Sequence, residues 1–238
     1  GMKNGGLNEG QADVWGMSIT GDSILARGTT TGSPTSFIRR YDLAPKVYPM
    51  DLTGEVHANG EIIAGAWWDY GRNVKSVDSM AKLFSETLIT DKPDGPNGTE
   101  GQVYYDMLIS ALMNDDVDGI LSNGTPHFNE IVAAFARHGI YLLQDLEITH
   151  NELPHQPKSK LINVNASLAV SNPYFFQSLN LVYRVRGSAW TSITMVDAGG
   201  YNFSAQIPAQ AEGSIVDYYF AAKDLLSNEG VFFPYNYF

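Results

Sequence analysis

The stretch HANGEIIAGAWWDY, residues 57–70, is apolar on nearly every face when it is wound as a helix. Such a helix is stable only when other elements cover it on all sides, so we predict a central buried helix here. Four further segments carry apolar residues at helical spacing. They are residues 7–19, 76–89, 100–113 and 126–137. The first part of the chain is therefore predicted to be mostly helical.

The spacing of the apolar residues changes after residues 150–160, HNELPHQPKSK. This stretch holds two prolines and is predicted to be a linker. Beyond it, about six short alternating runs follow one another, from LINVNASLAV (161–170) to VFFPYNYF (231–238), with turn residues between them. This spacing is typical of a β-sandwich of the immunoglobulin or fibronectin type III kind. We predict a multidomain α plus β chain: a mostly α-helical domain over 1–150 and an Ig-like β-sandwich over 158–238.

The composition limits which partners the chain can bind and which residues can form a metal site. The 238 residues include 15 Lys and Arg against 26 Asp and Glu, which gives a net charge of −11. An acidic chain lacks the positive surface that nucleic acid requires, so we expect no nucleic-acid partner. There is no run of about 18 apolar residues, so we expect no membrane span. Without cysteine, a metal site has to use histidine and carboxylates. None of these features indicates an oligomeric state.

Two short motifs carry the candidate chemistry. Glu9 and Asp13 are four residues apart and so share one helical face. They are either surface residues favoured by the helix dipole, or a metal ligand and a carboxylate that holds a ligating histidine. His57 opens the apolar helix, where it is either a core histidine or a hydrogen-bond donor to a developing oxyanion.

Together the two motifs resemble a known family. LNEGQADVWG (7–16) and VHANGEIIAGAWWD (56–69) are similar to motifs of the thermolysin-like and fungalysin-like zinc metallopeptidases. The resemblance implies that Glu9 ligates zinc and that Asp13 supports a zinc-bound histidine. It also implies that His57 stabilises the tetrahedral intermediate. The order and spacing of the two motifs agree with the family.

The resemblance implies two further roles. The family places an arginine that binds the substrate carbonyl where this chain has FIRRYD, so either Arg39 or Arg40 fills that role, and we name Arg39. A carboxylate has to orient the ring of His57, and both Asp51 and Glu55 precede it closely enough. We name Asp51, and Glu55 stays open as the alternative.

One part of the family pattern is missing. Such peptidases bind zinc through HExxH on the preceding helix, and this chain has no HExxH. Its nearest string, HNELPH at residues 150–155, has its histidines five apart and contains a proline, so they do not share a helical face. Gly1 before Met2 is typical of a tag remnant, so we expect the natural protein to extend upstream. We expect this chain alone to bind little zinc, to be inactive and to leave Asp13 unpaired.

The functional prediction is a partial zinc metallopeptidase. In the intact enzyme, zinc activates water and the substrate is a peptide or protein. The second domain is similar to Ig-like modules of secreted bacterial hydrolases, which implies a secreted or cell-surface location. The alternative is a non-catalytic adhesion or binding module on a degenerate peptidase scaffold.

Overall fold

The computed structural model describes residues 4–29, 33–90, 93–226 and 229–232. The chain divides after Leu142 into two compact units. This division comes earlier than the predicted limit at residue 150, because Glu147–Thr149 forms a strand that pairs within the second unit. The sequence gives no sign of this strand, since three residues are too few to show a period.

Within its described residues, the first unit contains five α-helices and one small hairpin. The helices are α1 (Gly5–Thr20), α2 (Val56–Asn73), α3 (Val77–Thr90), α4 (Glu100–Asp115) and α5 (Phe128–Arg137). They lie on the five segments that the periodicity predicts, to within a few residues. None of the helices in the described ranges combines the length and the apolar character that a bilayer crossing needs.

Helix α2 is the centre of this unit, because α1, α3 and α5 all pack against it. Its indole Trp67 is buried and meets Phe84 of α3 and Phe135 of α5 edge-on, with ring centroids 5.2 and 5.6 Å apart. The side chain of Glu55 accepts hydrogen bonds from the first free amides of α2 and so begins the helix.

Helices α1 and α2 cross unusually closely. A Cβ atom added to Gly10 would lie 2.6 Å from the carbonyl oxygen of Gly60, and one added to Gly60 would lie 2.7 Å from the nitrogen of Gly10. Only glycine at both positions allows this approach. The crossing sets Glu9, next to Gly10, beside the first turn of α2.

The hairpin pairs β1 (Ile24–Leu25) with β2 (Arg39–Arg40) in antiparallel register. Leu25 of this hairpin lies against α1, since a Cβ on Gly16 would meet its Cδ2 at 3.0 Å. The hairpin therefore carries Arg39 to the side of α1.

In its described residues, the second unit forms two four-stranded antiparallel sheets. The strands are β3 (Glu147–Thr149), β4 (Ile162–Ala169), β5 (Phe176–Val185), β6 (Thr191–Thr194), β7 (Val196–Asp197), β8 (Asn202–Ile207), β9 (Val216–Asp224) and β10 (Glu229–Phe232). One sheet has the order β10-β9-β5-β6 and the other β3-β4-β8-β7. The end of the last predicted strand, residues 233–238, lies outside the described residues.

Alternation of side chains gives this unit its core. Along β4, Ile162, Val164 and Ala166 are buried while their neighbours are exposed. Phe176 of β5 meets Phe203 of β8 edge-on at 5.5 Å, which joins the two sheets. The protein is thus a mixed chain of helices and antiparallel sheets, with the described α-helices and one hairpin in the first unit and the two four-stranded sheets in the second.

Candidate functional site

The candidate site begins on α1. The buried side chain of Asn4 caps this helix by accepting a hydrogen bond from the Leu7 amide at 2.8 Å. From that start, Glu9 and Asp13 lie one turn apart on the same side of α1. Their environments differ, because the Glu9 side chain is 37% exposed and that of Asp13 only 6%. Glu9 is accessible to a ligand and Asp13 is not.

The first turn of α2 brings His57 to Glu9. The His57 Nε2 atom lies 3.3 Å from a carboxylate oxygen of Glu9. The His57 Nδ1 atom lies 2.6 Å from Glu55, whose two oxygens also accept the amides of His57 and Ala58. One carboxylate therefore caps the helix and fixes the ring, which leaves Nε2 turned towards Glu9.

The two carboxylates change the acid–base behaviour of the imidazole. The hydrogen bond to Glu55 raises the pKa of His57, and the negative charge of Glu9 raises it further. In turn, the hydrogen bond from His57 and those from the helix amides lower the pKa of Glu55 to about 2. The charged form of the imidazole is therefore favoured, and it presents an N–H donor at Nε2.

Asp13 has three donors, which differs from the expectation that it stands unpaired. Arg39 donates from Nε and from one Nη to the two Asp13 oxygens, at 2.5 and 2.6 Å. The phenol of Tyr41, which is nearly buried, donates to the same carboxylate at 2.5 Å. The expectation is wrong because the hairpin folds over α1 and supplies both partners from positions 26 and 28 residues away.

This cluster also separates the two arginines. Arg39 is held by Asp13, whose hydrogen bonds raise the pKa of the guanidinium. Arg40 instead pairs with Asp42 at 2.6 Å and stacks on the ring of Phe37. Arg39 is therefore the arginine that lies with the site, and the N–H groups of its other Nη atom do not bond to Asp13.

Asp51 is not next to His57. Its carboxylate accepts the backbone amide of Val47 at 2.7 Å and so closes a turn before α2. Glu55 holds the imidazole, so naming Asp51 for this role is wrong and the alternative is correct. The reason is local, since the residue directly before a helix is the one whose side chain folds back on the first turn.

Tyr41 is a site residue that sequence reasoning missed. It lies in the run FIRRYD beside the arginines, but a single tyrosine carries no spacing that marks it. Burial raises the pKa of Tyr41, and the carboxylate of Asp13 adds to this. Its phenol thus stays a neutral donor to Asp13.

The donor set fits only part of a zinc site. Glu9 has the accessible carboxylate that a zinc ligand needs, but tetrahedral zinc takes three further ligands. In the part of the chain that the structure describes, no group of three histidine or carboxylate side chains could hold a metal ion. The described residues alone do not make up a zinc site.

Comparison with known proteins assigns no family to this arrangement. No protein-family model matches the chain. No curated protein matches it either.

Proposed function

We propose that this chain forms one side of the active site of a thermolysin-like zinc metallopeptidase. The observation that carries the proposal is the contact between Glu9 and His57, whose side chains come from two helices and meet at 3.3 Å. A carboxylate ligand and an imidazole donor at one place are what metal-assisted peptide hydrolysis uses. In this proposal the helical unit is the C-terminal subdomain of the peptidase, and the sheet unit is an Ig-like module.

Each residue of the site has a defined role in this proposal. His57, oriented by Glu55, donates from Nε2 to the oxygen of a substrate carbonyl as negative charge develops on it. Arg39 is fixed by Asp13, and an N–H group of the Nη atom that does not bond to Asp13 binds the same peptide through a carbonyl oxygen. Glu9 is the ligand that this chain offers to a metal, and polypeptide outside these 238 residues supplies the histidine pair.

The proposal is tested on the natural gene and its longer product. We expect HExxH to be encoded in frame about 20 to 40 residues before Glu9. The longer polypeptide should then retain about one zinc per chain and cleave peptides. Glu9→Gln should abolish zinc retention, and the matched variant Glu130→Gln in the first turn of α5 should not.

His57 distinguishes a catalytic role from metal binding. In the longer polypeptide, His57→Ala should leave zinc bound but lower kcat by about 10²–10³, the usual effect of losing one oxyanion donor. Loss of zinc in His57→Ala, or full activity in it, would contradict the assignment.

One observation favours a second candidate, a non-catalytic binding module on a peptidase scaffold. The carboxylate of Asp13 is already occupied by Arg39 and Tyr41, so part of the site is closed without a metal. For such a module we expect a degenerate motif upstream and no zinc in the longer polypeptide. Zinc analysis of that polypeptide therefore decides between the two candidates.

A further inference from the structure

A small pocket lies beside the candidate site, between helix α2 and the segment that follows strand β2. Its volume is about 190 Å³, which suits one side chain rather than a larger ligand. Residues four apart on α2 share this side of the helix. The first of them, His57, belongs to the site, and the next three line the pocket: Glu61, Gly65 and Asp69. Arg39 lines the pocket as well, so the pocket begins one helical turn from the site.

The pocket is apolar where it meets solvent and polar inside. Three partly exposed apolar side chains line it, and we call them the mouth: Phe37, Ile38 and Leu43. Deeper in the pocket, Asp69 and His138 are almost fully buried. An apolar mouth and a polar interior suit a side chain with an aliphatic stem and a polar end.

Most of the charges that line the pocket already have partners. Arg39 and Arg40 are each paired with an aspartate. The buried Asp69 accepts hydrogen bonds from Arg137 at 2.8 Å and from Arg72 at 3.3 Å. These pairs neutralise one another, so they do not select the charge of a ligand.

Glu61 differs from these residues. Among the described residues, no hydrogen bond or ion pair involves its carboxylate, although the side chain is half-buried. Burial raises the pKa of Glu61, and the charge of Lys46 lowers it, yet the two side chains form no ion pair. Lys46 is exposed and can turn into water at little cost. A cation that entered the pocket would give Glu61 the partner it lacks.

We propose that this pocket binds a lysine or arginine side chain of a peptide, with the aliphatic stem against the mouth and the charged end on the Glu61 carboxylate. Glu61 is then the residue that determines the preference for a basic side chain. The inference goes beyond the proposed function and does not depend on it, since Glu9, the metal ligand of that proposal, takes no part. Under the proposed function, the bound side chain belongs to the peptide whose carbonyl oxygen Arg39 binds.

Other classes of side chain suit the pocket less well. An acidic side chain would bring a further carboxylate beside Glu61, and Lys46 is the one cation lining the described pocket that is not already paired. An aliphatic or aromatic side chain would leave Glu61 half-buried and without a partner. The charges thus point to a basic side chain.

Binding of blocked amino acids to the 238-residue chain tests the inference. The probes are the Nα-acetyl methylamides of lysine, norleucine and glutamate. Norleucine has the four-carbon stem of lysine without its ammonium group, so this pair isolates the charge. The chemical shift of the Gly65 amide in the pocket is followed by NMR at neutral pH, with EDTA present.

We expect the lysine probe to bind with a Kd of about 1 mM, as suits a ligand of this size. The norleucine probe should bind at least about ten-fold more weakly, because it makes no charged hydrogen bond to Glu61. Equal Kd values for these two probes, tighter binding of the glutamate probe, or no saturable binding of any probe would overturn the inference. This comparison uses the native chain, so it does not depend on the folding of a variant.

Variants then assign the preference to Glu61. Glu61→Gln should weaken binding of the lysine probe at least about ten-fold. Glu86→Gln on α3 is the matched control, since that side chain is 45% exposed and does not line the pocket, and it should keep the native Kd. Lys46→Met should bind the lysine probe at least as tightly as the native chain. Unchanged binding in Glu61→Gln, or loss of binding in Lys46→Met, would contradict the role of Glu61.

The experiment separates this inference from the proposed function, because no metal takes part in it. Preference for the lysine probe, with no zinc retained by the longer polypeptide, would support the pocket and refute the peptidase. Zinc retention by the longer polypeptide, with no preference for the lysine probe, would support the peptidase and refute the pocket.

Discussion

Substitution of Gly60 by alanine tests how the two site helices are held together. A Cβ atom at Gly60 would lie 2.7 Å from the backbone nitrogen of Gly10 and 2.8 Å from the backbone oxygen of Gly6. Both neighbours are main-chain atoms of α1, so they cannot move aside as a side chain can. The substitution therefore has to push α1 and α2 apart.

The expected effect combines two opposed terms. Alanine in a helix interior is more stable than glycine by up to about 1 kcal/mol. Overpacking a tight contact costs about 1–3 kcal/mol, and backbone neighbours place Gly60→Ala at the upper end of that range. We expect a net loss of about 2 kcal/mol in the free energy of unfolding, which lowers Tm by about 4–8 °C for a protein of this size.

The assay is urea unfolding followed by helical circular dichroism, because the α-helices of the described residues all lie in the first unit. Gly16→Ala is the matched control on α1. Its Cβ would lie 3.0 Å from the Cδ2 atom of Leu25, a side-chain tip that can move. We expect Gly16→Ala to be as stable as the native chain or more so. If Gly60→Ala were equally stable, the close crossing would not be what sets Glu9 beside His57.

Three further predictions follow from the contacts around the site and from the linker. Asp13→Asn leaves the guanidinium of Arg39 and the phenol of Tyr41 without their charged acceptor. We expect it to lower the free energy of unfolding of the first unit by about 3 kcal/mol, measured by the same urea titration. In an NMR titration, Glu55→Gln should lower the pKa of His57, while Asp51→Asn should leave it unchanged. Because the folded state raises this pKa, the charged ring stabilises the fold at low pH, and that stabilisation is lost as the pH rises through the raised pKa. Limited proteolysis should cut first within residues 151–160, which join β3 to β4 inside the second unit, are mostly exposed and have no regular secondary structure; first cuts inside the paired strands would contradict this.

Much of the helical unit could be predicted because its signal is periodic and strong. The apolar residues of 57–70 and of the four other segments recur at a spacing that only a buried helix explains. The strands of the second unit are marked in the same way, by alternation. The strand Glu147–Thr149 is too short to show a period, and its pairing with β4 depends on the tertiary structure.

The site was predictable where it depends on helix geometry. Glu9 and Asp13 share a face because four residues make about one turn. That Arg39 and Tyr41 both reach Asp13 depends on how the hairpin β1–β2 folds over α1, which no local pattern encodes. Glu55, and not Asp51, holds the His57 ring because Glu55 directly precedes α2 and caps it. This capping position is readable from the sequence, but it was not used to choose between the two carboxylates.

The central claim is that α1 and α2 place Glu9 and His57 in one site, and an NMR titration of the His57 ring tests it most directly. The titration compares the native 238-residue chain with Glu9→Gln. Because the charge of Glu9 adds to that of Glu55 in favouring the protonated ring, we predict a raised pKa for His57 in the native chain and a lower one in Glu9→Gln. Identical titration curves in the two proteins would contradict the claim.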